Sequence, residues 1–62
     1  MPIIEVKAFA HRFEDEEKAA RVIAALTDAF GDVYGEDAKR ETEVILHGIS
    51  PKLWGFGGAT RG

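Results

Sequence analysis

The sequence predicts an α/β fold: a single βαβ unit with parallel strands, finished by a short C-terminal hairpin. Three observations carry this expectation. Apolar residues alternate over Pro2 to Phe9, recur at steps of three and four from Glu14 to Tyr34, and return as an apolar run within Thr42 to Ile49. A strand, a helix of about five turns and a second strand make one crossover, and a connection of that length suits parallel pairing of right-handed sense.

In the first strand Ile3, Ile4, Val6 and Phe9 are β-branched or aromatic. Ile4, Val6 and Ala8 share one face and Glu5 and Lys7 the other, the pattern of a strand with one covered side. Ala10-His11-Arg12-Phe13 reads as a short connection. Along the helix Ala19, Val22, Ile23, Leu26, Phe30 and Val33 form a single stripe. The run Glu14-Asp15-Glu16-Glu17 stands at its start, where the macrodipole favours negative charge. Glu14 with Lys18 and Glu17 with Arg21 fall at i,i+4 in the better orientation, each pair worth about 0.3–0.5 kcal/mol. Gly31 or Gly35 is placed to end the helix, and Tyr34 to Arg40 reads as a polar loop. Val44, Ile45 and Leu46 are the apolar centre of the second strand, after which Ser50-Pro51 turns the chain. Trp54-Gly55-Phe56-Gly57-Gly58 alternates aromatics with glycine, as a hairpin or a ribbon contacting another subunit would.

A chain of 62 residues makes one domain, 1–62. Such a domain buries only about 60% of the surface its unfolded chain exposes. Small folds usually compensate with disulfides, metals or oligomerisation. There is no cysteine, and His11 and His47 lie far apart without ligand-like spacing. Oligomerisation remains. A two-stranded parallel sheet with one helix leaves a face uncovered. Two copies would give a four-stranded sheet with both helices on one side, and further copies would cover the other, a closed oligomer built from dimers.

The net charge of −3 argues against nucleic acid as a main partner, because phosphate binding needs clustered Lys and Arg. No apolar run approaches the roughly 20 residues that span a bilayer. Glu5 comes early and no basic segment precedes it, unlike a signal peptide. A cytoplasmic protein without a membrane partner is expected. An anionic small molecule remains compatible, since a small site feels local charge.

Pro2 is the residue with the most chemistry to offer. Its small side chain makes Met1 a good substrate for cellular aminopeptidase, and the product would carry a secondary amine. An α-amino group titrates at about 7.7–8.0 in model peptides. Burial and nearby cations disfavour its protonated form further. Such an amine can serve as a general base at neutral pH. With Met1 attached the same nitrogen is an amide and has no basic lone pair.

Met1-Pro2-Ile3-Ile4-Glu5-Val6, Arg12, a helix that opens acidic and continues with Lys18, the second apolar strand and Trp54-Gly55-Phe56-Gly57-Gly58 together resemble the 4-oxalocrotonate tautomerase family. The likeness runs through nearly the whole chain, in order. It implies a hexamer, a trimer of dimers, and a cofactor-free, metal-free isomerase. In it Pro2 moves a proton within small enol or oxo unsaturated acids. Arg12 matches the family arginine that holds a distant substrate carboxylate, for which a planar bidentate donor is suited. Trp54 matches the aromatic that walls the site, excluding water and keeping the amine uncharged.

One departure stands out. The family has a second arginine at the start of the second strand, stabilising developing enolate charge, and here the aligned residue is Glu43. Arg40 lies three residues earlier and is the nearest replacement in sequence. The chain is also slightly longer than the family norm between Arg12 and Trp54. Losing one such donor typically costs about 10²–10³ in rate. Two alternatives follow from the same resemblance: hydrolytic dehalogenation of 3-haloacrylates with Pro2 as acid, and a non-catalytic subunit whose paralogue supplies the missing arginine.

Overall fold

Strand β1, Ile3–Phe9, and strand β2, Glu43–Ile49, pair in parallel in a computed structural model that describes residues 1–62. The register sets Ile3 beside Glu43, Val6 beside Leu46 and Phe9 beside Ile49. Between the strands run a 3-10 turn, Ala10–Phe13, helix α1, Glu16–Tyr34, and helix α2, Glu36–Glu41. After β2 a second 3-10 turn, Pro51–Leu53, leads into an antiparallel hairpin of β3, Gly55–Phe56, and β4, Ala59–Thr60. The expected βαβ unit with its C-terminal hairpin is therefore the observed fold. No helix is long and apolar enough to cross a membrane.

The helix begins two residues later than its acidic run. Asp15 stays extended, and its carboxylate accepts from the N–H groups of Glu17 and Lys18 at 3.0 and 3.2 Å. An aspartate here caps donors that lack an intrahelical partner, worth about 1 kcal/mol. Glu14 is thus outside the helix, so its expected i,i+4 pair with Lys18 does not form. Nor does Glu17 bridge Arg21: the ion pairs present are Lys39–Asp28, Arg40–Asp37 and His47–Glu5.

Gly35 ends α1 at φ 99°, ψ 175°, and its N–H donates to the Gly31 carbonyl oxygen at 2.7 Å. The segment expected as a polar loop is in fact helical from Glu36 to Glu41. Acidic residues Glu36 and Asp37 stand in its first turn and Lys39 and Arg40 in its last, the charge order that complements a helix dipole. Lys39 fastens α2 back to α1 through Asp28 at 2.9 Å, which raises the Lys39 pKa above its ordinary value.

Ile4, Val6 and Ala8, with Val44 and Leu46, are the more shielded residues of the sheet, and Ala19, Leu26 and Phe30 those of α1. The stripe expected on α1 is wider than two strands can cover. Val33 is left 75% exposed, and Val22 and Ile23 are each more than a third exposed. On the other face of the sheet Ile3 and Ile45 lie open, with Glu5 and His47 2.8 Å apart between them.

No residue of the isolated chain is buried. Its surface is 4871 Å², against about 4,000 Å² for a compact monomer of this mass. Its radius of gyration is 14.2 Å, against about 11 Å. The surplus is close to the roughly 800 Å² that each partner contributes to a standard interface.

Two measurements check this account of the helix end. Gly35→Ala is expected to lose about 1–3 kcal/mol in chemical denaturation at fixed protein concentration, because a Cβ strains that backbone region. The Lys39–Asp28 contribution is complete below the unfolded lysine value of about 10.4 and fades as pH rises through the higher folded value. The stability difference between wild type and Lys39→Met is therefore expected to stay constant through neutral pH and shrink only in strong alkali.

Candidate active site

Pro2 precedes β1 and is held by its carbonyl, which accepts the Glu43 N–H at 2.9 Å. This bond extends the ladder by one rung beyond the Ile3–Glu43 pair. A proline suits the first position of a strand because no ladder donor is asked of it. Pro2 itself is half-buried, while Met1 before it is 82% exposed.

Arg12 stands at the opposite end of the same strand, in the last turn of the 3-10 segment. Seven residues of β1, at about 3.3 Å each, put roughly 23 Å between the two ends. Trp54 belongs to the Arg12 end. Its ring meets Phe9 edge-on with centroids 4.7 Å apart, and Phe9 in turn stacks on His11 at 6.2 Å. An edge-to-face pair of this separation is a favoured aromatic geometry. The chain thus brings Arg12 and Trp54 to one end and leaves Pro2 at the other.

Glu43 opens β2 next to Pro2, as the sequence alignment of the strand suggests. Arg40 does not take over as a free cation: its guanidinium is engaged by Asp37 one turn back in α2. The cause is local. Residues three apart on a helix are neighbours, and α2, unforeseen from the sequence, puts Asp37 and Arg40 at that spacing. Arg12 has no carboxylate within ion-pair distance.

A residue that the sequence reading passed over is Arg61. Gly57 and Gly58 both have positive φ, 61° and 91°, as a two-residue hairpin turn of the type with two such positions requires. With Phe56 paired to Ala59 and Gly55 to Thr60, the next rung sets Arg61 opposite Trp54. The Arg61 N–H donates to the Trp54 carbonyl oxygen at 2.9 Å. The Gly57-Gly58 dipeptide held this information, since a two-residue loop there fixes every later rung.

A shallow depression on α1, lined by Lys18, Arg21, Val22 and Ala25, includes none of the candidate residues. No three side chains among His, Asp and Glu come together as a metal centre would need.

The sequence model described as tautomerase enzyme matches residues 2–61, almost the entire chain. No curated protein and no solved structure matches. The family match begins at the proline and ends at the arginine of the hairpin, and it agrees with the βαβ architecture. Family membership supports an isomerase of tautomerase type. The chain belongs to the tautomerase family, within the group of 4-oxalocrotonate tautomerase.

Proposed function

We propose that the protein is a cytoplasmic, cofactor-independent tautomerase of small unsaturated oxo- and hydroxy-acids. Pro2, released by removal of Met1, is its general base and then its general acid. Arg12 holds a substrate carboxylate and Trp54 walls the reacting carbons from water. The observation that carries this reading is the position of Pro2 at the mouth of the sheet. Its carbonyl is fixed by Glu43 while Met1, on its nitrogen, is almost wholly exposed to a processing enzyme.

The chemistry follows from that nitrogen. A neutral secondary amine takes a proton from the carbon or enol oxygen next to the carbonyl system. The electron pair moves through the conjugated chain, and the ammonium returns the proton one or two bonds further along. A terminal amine near neutrality gives up and accepts a proton with little cost in either direction. Exclusion of water by the indole favours its uncharged form.

The separation of Pro2 from Arg12 supports a site shared between copies. Antiparallel association of two chains would bring one Pro2 end against the neighbouring Arg12 and Trp54 end. Such a contact is two-fold, and each pair would hold two equal sites. We extend this to a homohexamer, a trimer of dimers, which would cover the open sheet face that carries Ile3 and Ile45. Glu43 favours the second reading, a subunit that relies on a paralogue for its missing cation. A pure preparation of this chain that turns over substrate eliminates that reading.

Three results are expected. The intact mass of protein made in cells corresponds to the chain without its first methionine. Pro2→Ala lowers kcat/KM for ketonisation of 2-hydroxymuconate or phenylenolpyruvate by about 10²–10⁴, the range for loss of a positioned base. An undiminished rate contradicts the assignment. Arg12→Ala raises KM for the dicarboxylate about 10–100-fold, and changes it far less for a monocarboxylate, because the lost bonds are to the distant carboxylate.

A further inference from the structure

The proposed site lacks a cation at Glu43, and the other basic residues differ sharply in how free they are. Arg40 is held by Asp37, and Lys39 by Asp28. Lys7 lies on the open sheet face beside His47 in the register, two residues before Phe9, with no backbone bond to the hairpin. Lys18 and Arg21 belong to the depression on α1. Arg61 alone is tied by its backbone to the aromatic that the tautomerase reading puts in the site.

The hairpin register places its side chain. Directly opposed residues of an antiparallel pair project from the same face of the ribbon, and so do residues two apart on one strand. Trp54, Phe56 and Arg61 therefore share a face. The Arg61 guanidinium carbon lies 5.9 Å from the centre of the Phe56 ring, as that placement requires. The Arg61 N–H reaches both the Trp54 carbonyl oxygen, at 2.9 Å, and that of Pro51, at 3.2 Å, which fixes the root of the side chain. A cation at this distance from a ring is attracted by its π face, a contact that uses none of the guanidinium N–H donors. No carboxylate of the chain pairs with those donors.

We propose that Arg61 supplies the second guanidinium of the active site, entering from the C-terminal hairpin instead of from β2. The inference rests on the tautomerase reading of Pro2 given above. When the C–H or O–H bond breaks, the proton goes to the Pro2 nitrogen and the electron pair ends on the substrate's carbonyl oxygen. Arg61 meets that oxygen, or the carboxylate conjugated with it, with paired N–H donors, while Arg12 holds the distant carboxylate. Protonation of the far carbon by the Pro2 ammonium restores the carbonyl and releases the charge. Trp54 and Arg61 thereby act as one unit, indole and guanidinium on one ribbon face, placed together by the Gly57-Gly58 turn.

The test compares Arg61→Gln, Arg61→Lys and Lys52→Gln in the full-length protein. Each is assayed for ketonisation of 2-hydroxymuconate and for mass in solution. Arg61→Gln is expected to lower kcat by about 10²–10³ at unchanged mass, the usual loss for one such donor. Arg61→Lys keeps the charge without the fork and recovers part of that loss. Lys52→Gln, a neighbouring cation outside the ribbon face, stays within about twofold of wild type. If Arg61→Gln alters the mass, the Arg61→Lys comparison decides: reduced kcat at native mass supports the proposal, and full rate overturns it. Pro2→Ala run in parallel separates the two claims. A dead Pro2→Ala beside a fully active Arg61→Gln overturns the role of Arg61 alone, whereas a fully active Pro2→Ala removes the tautomerase reading on which it stands.

Discussion

Parallel pairing of β1 with β2 is the constraint from which the rest follows. A parallel pair needs a crossover, and here the crossover is slightly more than half the chain, Ala10 to Thr42. The crossover returns the chain to the end of the sheet where it began, so Glu43 meets Pro2, and Ile49 meets Phe9. Everything after β2 must then lie at the Phe9 end, which is why Trp54 packs on Phe9 and lies near Arg12 in the fold. The chemistry-bearing residues are sorted into two groups by topology, before any side chain is considered.

The same topology leaves the chain short of partners. Helix α1 covers one face of the two strands but has more apolar stripe than they can shield, and the reverse face carries Ile3 and Ile45 in the open. Hydrophobic burial contributes about 25 cal/mol per Å² removed from water. The apolar part of the surplus surface would add to stability in the proposed assembly. In the proposed assembly one event both buries this surface and joins a Pro2 end to an Arg12 end. Folding, assembly and the formation of a working site would then be coupled.

Much of this was legible from residue order. Alternation over Pro2 to Phe9, the apolar run within Thr42 to Ile49 and the three-four spacing along α1 pointed to both strands and the long helix, because covered faces select those patterns. Helix α2 was not foreseen. Its six residues carry no apolar stripe, and it is held by Lys39 reaching Asp28, a contact back to another helix eleven residues earlier. The early end assigned to α1 failed for a different reason: Asp15 is both acidic enough to favour a helix start and a strong N-cap, and capping won. Pro2, Arg12 and Trp54 stood out by type and position, but their separation in space did not, since it depends on which way the strands pair. Arg61 was overlooked because a basic residue near a glycine-rich end has no distinctive pattern until the hairpin register is counted out.

The central claim is that one chain's Pro2 works with another chain's Arg12, and mixing two disabled variants tests it most directly. Pro2→Ala and Arg12→Ala are each purified, dissociated together, reassociated and assayed with a dicarboxylate enol. Random assembly should restore about a quarter of the sites to a wild-type pair, so activity well above either variant alone is predicted. A mixture no more active than its components, with mixed oligomers present by mass, would contradict the account.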